Sequence, residues 1–267
     1  MSSGGDPTFD AYSPAEIADR IEKAGCAKAR LGLVPMFTLA VLAGAFIALG
    51  ASLFLVATTD TQMGYGPSRL LGGLAFSLGL VLVVVAGAEL FTGNNLIVMA
   101  RCDGMIGTPD LLRNWLVVYA GNFVGALATA QFVVWSGLLD AAGGAVGANA
   151  HRIAEAKGAL PLDKAFVRGM LCNVLVCLAV WLSFAAREVS GKAVAIAFPI
   201  TAFVALGFEH SIANMFFLPL SMLSGGGPSL GAAAANVAVV TAGNVLGGSV
   251  LVAVVYWLVY CRERRRG

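Results

Sequence analysis

A chain of 267 residues that is 58% hydrophobic, only 12% charged and of mean hydropathy +0.84 lacks the polar side chains needed to cover a soluble domain of its size, so a bilayer is its expected solvent. The formal net charge of +2 arises from 17 basic and 15 acidic residues in short clusters that are never interleaved with aromatics, and nucleic acid is excluded as an expected partner. Cys26, Cys102, Cys172, Cys177 and Cys261 show no CxxC or Cys/His spacing and read as small packing residues; no metal and no cofactor is expected.

Residues 1–30 read as a polar arm. Asp6, Asp10, Glu16, Asp19 and Glu22 leave no room for the apolar core of a cleaved signal peptide, so the first apolar run is expected to stay in the mature protein. Ser13-Pro14-Ala15-Glu16 has the form of a capping box with proline in the first helical turn. The helix it starts places Ile17, Ile21 and Ala24 on one face and Glu16, Arg20 and Lys23 on the other, as for a helix lying on a membrane surface or against a neighbouring subunit.

Apolar runs follow at 33–57, 70–100, 112–138, 165–185, 193–223 and 232–260, which predicts six crossings within a channel domain of residues 31–260, followed by a basic tail at 261–267. The second and fifth runs are too long for one simple helix and carry ionisable residues and glycines in their middles. On alternate sides of six spans, Arg20, Lys23, Lys28, Arg30, Arg101, Arg113, Arg187, Lys192, Arg262, Arg264, Arg265 and Arg266 stand against Arg69, Arg152, Lys157, Lys164 and Arg168. That imbalance places both termini in the cytoplasm of a multi-pass inner-membrane protein.

The two halves, about 31–138 and 160–260, repeat each other. Gly87, Glu89 and Asn94 match Gly207, Glu209 and Asn214 at an offset of 120 residues, and Asn114, Gly121, Asn122 and Gly125 match Asn236, Gly243, Asn244 and Gly247. Three spans in each half put the second half into the membrane the other way up, a 3+3 inverted repeat. In such folds the permeation site lies near the midplane, where interrupted helices from both halves line a cavity, so Glu89 to Asn94 and Glu209 to Asn214 are the expected interruptions.

An ionisable residue within a span is a functional candidate, and His210 can attract an anion, donate a hydrogen bond or lend a proton. The bland alternative is a neutral histidine that ties down the broken helix. Glu89 and Glu209 would repel an anion and fit anchoring roles, as do Asn94 and Asn214. Asn173 can donate to an anion or bond across to another helix, and the residues alone leave that choice open. The glycines of the third and sixth spans read as close helix packing, and no set of nucleophile, base and orienting group is present, so enzymatic chemistry is not expected.

These residues resemble the formate/nitrite transporter family over nearly the whole chain. The likeness rests on Phe76-Ser77-Leu78-Gly79-Leu80, on Glu89 to Asn94, on Asn114-Trp115 with Gly121 to Gly125, on Asn173 with Val176 to Trp181, and above all on Gly207 to Met215. The resemblance implies an all-α, aquaporin-like fold with helices 2 and 5 interrupted, a homopentamer in the lipid bilayer with one pore per subunit, and a small monovalent anion as cargo. It implies apolar constrictions at Phe76, Leu80 and Phe203, which the residues alone would assign to lipid or core. It also sets Thr92 opposite His210 in a central vestibule and links Lys157 and Asn173 to anion attraction and to the network around the histidine. Formate is the first expectation. Nitrite or hydrosulfide, and proton-coupled formate symport, are the alternatives; an aquaporin-like neutral-solute channel is remote, because twin Asn-Pro-Ala boxes are lacking, and a haem- or quinone-bearing membrane subunit would need ligands beyond a single intramembrane histidine.

Overall fold

The structure, a computed structural model, describes residues 11–262; Asp6, Asp10 and all but the first two residues of the expected basic tail lie outside them. Helix α1 (Pro14–Ala29) begins at the anticipated capping box, the Ser13 N–H donating to Glu16 Oε2 at 2.8 Å and the Glu16 N–H reaching back to Ser13 Oγ at 3.5 Å. Its apolar face does not wait for a membrane surface or a neighbour. Ile17, Ala18 and Ile21 pack with Leu96 and Met99, while Cys26 and Ala29 pack with Ile97 and Ala100 of the same chain. Ala24, expected on that face, is only half-buried, and Glu22 is buried instead.

Apolar helices make up most of the rest: α2 (Leu33–Ala57), α3 (Tyr65–Ala86), α5 (Thr108–Trp135), α7 (Leu162–Ala185) and the stretch Leu230–Tyr260 are each long and apolar enough to cross a membrane. That last stretch runs from α10 (Leu230–Val245) through a π-helical segment (Leu246–Val254) into α11 (Val255–Tyr260). The 70–100 run resolves into α3, a 3-10 turn (Gly93–Ile97) and the five-residue α4 (Val98–Cys102). The 193–223 run resolves into two shorter helices, α8 (Val189–Ala205) and α9 (Ser211–Leu223). Helix α6 (Ala145–Gly158) lies between the halves.

Both interruptions start the same way. Gly87 and Gly207 sit at φ 81° and 73°, a left-handed turn that costs glycine nothing, and the next N–H reaches back five residues, from Ala88 to the Val83 carbonyl at 2.9 Å and from Phe208 to the Phe203 carbonyl at 3.0 Å. Helix α2 packs on α3 and α5, α7 packs on α8 and α10, and α3 lies along α8, which sets the two interruptions side by side. The close packing read from the glycines is real: a β-carbon on Gly125 would overlap the carbonyl of Val41 in α2, and one on Gly247 that of Met170 in α7.

Candidate functional site

Each interruption exposes backbone groups that a dry interior cannot leave unpaired, and each is satisfied by the same kind of residues. In the first, Asn94 Nδ2 donates to Glu89 Oε2 at 2.7 Å and to Asn114 Oδ1 at 3.0 Å, Asn114 donates to the Lys28 carbonyl at 3.3 Å, and the Lys28 ammonium closes the ring on Glu89 Oε1 at 2.6 Å. In the second, Asn214 donates to Glu209 at 2.7 Å and to Asn236 at 2.8 Å, Asn236 donates to the Lys157 carbonyl at 2.9 Å, and the Lys157 ammonium bonds both Glu209 oxygens at 3.0 and 2.9 Å. The buried amide of Asn122 holds Ala40 O, Glu89 O and the Phe91 N–H, and Asn244 holds Gly169 O, Glu209 O and the Ser211 N–H. Each glutamate is thus bonded to one lysine and one asparagine.

Between the two frames His210 and Thr92 meet, Nε2 to Oγ1 at 2.9 Å, at 3% and 0% exposure. His210 also caps α9, its Nδ1 accepting the Ala213 N–H at 3.1 Å. That bond fills the Nδ1 lone pair, so the neutral ring carries its proton on Nε2 and aims it at Thr92. The Thr92 carbonyl is held in turn by Asn173 Nδ2 at 3.2 Å and Cys177 Sγ at 3.4 Å. The second Asn173 N–H goes to the Asn244 carbonyl at 2.7 Å, which uses both donors of that amide on other helices and leaves none for an anion.

Two cavities approach this pair from opposite sides. One, about 320 Å³, is lined by Arg69, Lys157, Arg168 and Glu209 with Phe76, Phe203 and His210 at its floor; the other, about 330 Å³, is lined by Arg20, Lys28, Lys192 and Glu89 with Leu80 and Leu90. We call them the far and near cavities, because α1 contributes only to the second. Phe76 meets Phe203 edge-on with ring centroids 5.6 Å apart, and Phe203 stacks on His210 at 5.9 Å. Phe76, Leu80 and Phe203 are buried at 4%, 2% and 3% exposure, so they face the protein interior and not lipid. Thr92 lines neither cavity and lies behind these apolar side chains.

The family model for formate/nitrite transporters matches residues 15–258. The chain belongs to the formate/nitrite transporter family. It is 40% identical to the formate channel FocA of Escherichia coli K12 over 97% of this chain and 98% of that protein, and 39% identical to a probable formate transporter of Methanothermobacter thermautotrophicus over 94% and 98%. A solved pentameric formate channel with formate bound superposes with a TM-score of 0.79 at 39% identity, covering 85% of this chain and 97% of that one. An FNT family ion channel does so at 0.83 and 29%, covering 91% and 98%. These family relatives are channels and transporters, not enzymes, and the chain is a multi-pass membrane protein.

Four groups of the site escaped sequence reasoning. Lys28 was counted only as a cytoplasmic charge, although it pairs with Glu89 as Lys157 pairs with Glu209. The signal was present: Lys28 and Lys157 each stand ahead of the first span of a half, but 129 residues apart and not 120. The bonding of backbone groups by Asn122 and Asn244 had no signal beyond their match in the repeat. Ser249, in the π-helical segment, donates to Asn95 at 3.1 Å and had no signal at all.

Proposed function

We propose that this chain is a channel for a small monovalent anion, formate before nitrite or hydrosulfide, built as a homopentamer of six-span, 3+3 inverted-repeat subunits in the inner membrane with both termini cytoplasmic. The pairwise matching of hydrogen bonds around Glu89 and Glu209 supports the inverted repeat and the broken second and fifth spans. The named relatives support formate and the pentamer. The basic-residue imbalance supports the orientation.

The observation that carries the reading is the buried His210–Thr92 pair set between two cavities that each hold three cationic side chains. An anion that reaches either cavity meets net positive charge, then a thin apolar barrier of Phe76, Leu80 and Phe203. Desolvating a full charge there is costly. His210 Nε2–H and the Thr92 hydroxyl are the two donors in the barrier, and they can turn from each other to the cargo. Asn173 and Cys177 position the Thr92 backbone, while Glu89, Asn94, Glu209 and Asn214 keep both interruptions in place.

A second reading, passage as the neutral acid after proton transfer, has a specific obstacle. Giving up the Nε2 proton requires Nδ1 to gain one, and Nδ1 is occupied by the Ala213 N–H. Direct hydrogen bonding to the anion is therefore the preferred mechanism. Uptake of formate, nitrite, hydrosulfide and glycerol into proteoliposomes, with and without a pH gradient, tests the function: glycerol passage without anion passage overturns it. Formate flux through His210→Asn from about pH 5 to pH 8 tests proton transfer, because unchanged flux across that range sinks that role for the ring while the asparagine amide still offers a donor.

A further inference from the structure

The resemblance links Lys157 to anion attraction, yet its ammonium is spent. It bonds both oxygens of Glu209, its side chain is 15% exposed, and it sits 5.6 Å above the Phe217 ring. Lys28 is paired too, by a single bond to Glu89 Oε1 at 2.6 Å. Arg69, the second cation of the far cavity, has its guanidinium turned onto the carbonyls of Val204 and Ala205 at the end of α8. In the near cavity Arg20 lies over the Tyr12 ring at 4.0 Å.

One cation in each cavity is left over. Arg168, exposed on α7, lines the far cavity, and Lys192, half-buried on α8, lines the near one. Among the described residues neither side-chain cation has a hydrogen-bond or ion-pair partner. In each mouth the paired lysine and glutamate cancel at short range, so the field felt by an approaching anion comes from the remaining cations, and of these only Arg168 and Lys192 have no hydrogen bond, ion pair or aromatic ring to hold them back from it.

We propose that Arg168 and Lys192, not Lys157 and Lys28, are the residues that capture the anion, Arg168 at the far mouth and Lys192 at the near one. The ion pairs of Lys157 and Lys28 then serve to anchor the interruptions. Capture by an unpaired guanidinium on one side and an unpaired ammonium on the other also makes the two mouths chemically different. A planar monocarboxylate can take two parallel hydrogen bonds from Arg168 but only a point contact from Lys192. The inference rests on the anion-channel reading.

Right-side-out and inverted membrane vesicles expose opposite mouths, and initial rates of formate entry in each give the test. Arg168→Gln is expected to raise half-saturating formate about three- to tenfold for entry by the far mouth, to flatten the dependence of that entry on ionic strength, and to leave maximal flux unchanged. Lys192→Gln does the same by the near mouth only, and Arg168→Lys keeps most of the capture. Unchanged half-saturation in both glutamine variants, or a loss of maximal flux equal from both sides, overturns the proposal. Should the unmodified chain pass glycerol but no formate, nitrite or hydrosulfide, the channel reading fails and takes this one with it. Anion flux that persists with one-sided capture intact in Arg168→Gln and Lys192→Gln removes only this one.

Discussion

The two interruptions have one frame and two contents. Lysine, glutamate and three asparagines bond alike around each, to within a few tenths of an ångström, whereas the residues they hold in place differ: Leu90 and Phe91 in the first stand where His210 and Ser211 stand in the second. The continuation differs too, a five-residue 3-10 turn against the thirteen-residue α9. On the proposed reading, the difference separates the groups that keep backbone polar atoms satisfied in a dry interior from those assigned to the cargo. In the inverted repeat proposed above, the first kind must occur twice and the second kind need occur only once, at the junction.

The largest effects should come from the frame. Asn122→Leu and Asn244→Leu each strip partners from three buried backbone groups, at about 1–3 kcal/mol per group. Both variants should lose roughly 10 °C or more of thermal stability in detergent or fail to assemble, which fluorescence-detected size exclusion after heating will show. Similar losses support equivalent frames; a tolerated substitution on one side breaks the comparison. Next comes content. His210→Leu installs in the second interruption the residue of the first, and should cut formate flux about 10- to 100-fold, by the loss of one buried donor, with a much smaller thermal shift. A thermal loss as large as that of the asparagine variants would make the histidine part of the frame.

A third prediction concerns a support that only the first interruption has. Asn95 accepts from Ser249 and donates to the Phe91 carbonyl at 2.9 Å, so it ties the 3-10 turn to the π-helical segment beneath it. Ser249→Ala removes one neutral bond and should cost about 1 kcal/mol, or roughly 2–4 °C, with flux changed less than about twofold. A large flux loss would mean that this turn moves during passage.

The frame was legible because its glutamates and asparagines recur in the same order, 120 residues apart in the first block and 122 in the second, which comparison of the two halves of a single sequence can reveal. The contents were legible only in part. Nothing in the sequence sets Phe76, Leu80 or Phe203 apart from ordinary core; only the fold stacks Phe203 on His210 and sets Phe76 edge-on to Phe203. The pairing of Lys157 with Glu209 was not legible, because an ion pair between residues 52 apart in sequence, closed by the fold, leaves no local pattern. The cap of α1 and the burial of Ile17 and Ile21 follow from its sequence, but the burial of Glu22 in place of Ala24 does not, and what covers that face depends on where the first interruption emerges, which no spacing encodes. The π-helical segment carries Gly247 and Gly248, which signal close packing without saying that the hydrogen-bond register will slip.

The smallest effect tests the cover that α1 lays over the first interruption alone. Hydrogen bonds from the Ser13 backbone, then its hydroxyl, hold the exposed Glu16 carboxyl below its ordinary pKa, with Arg187 and Arg20 adding favourable charge. A lowered folded-state pKa means that the cap's contribution is complete above the ordinary carboxylate range and is lost as pH falls through the depressed value. Solvent screens the group, so the loss should stay local: amide exchange should rise in the first turn of α1 between about pH 5 and pH 3, while Ile21, Cys26 and Ala29, packed beneath, keep their protection. Ser13→Ala should show faster exchange already at neutral pH but keep part of the acid dependence, because the backbone N–H of residue 13 still donates to Glu16; Glu16→Gln should abolish it. If acid instead released the whole helix, the cap would be holding α1 on Leu96 and Ile97, and the first interruption would differ from the second by a detachable cover as well as by its contents.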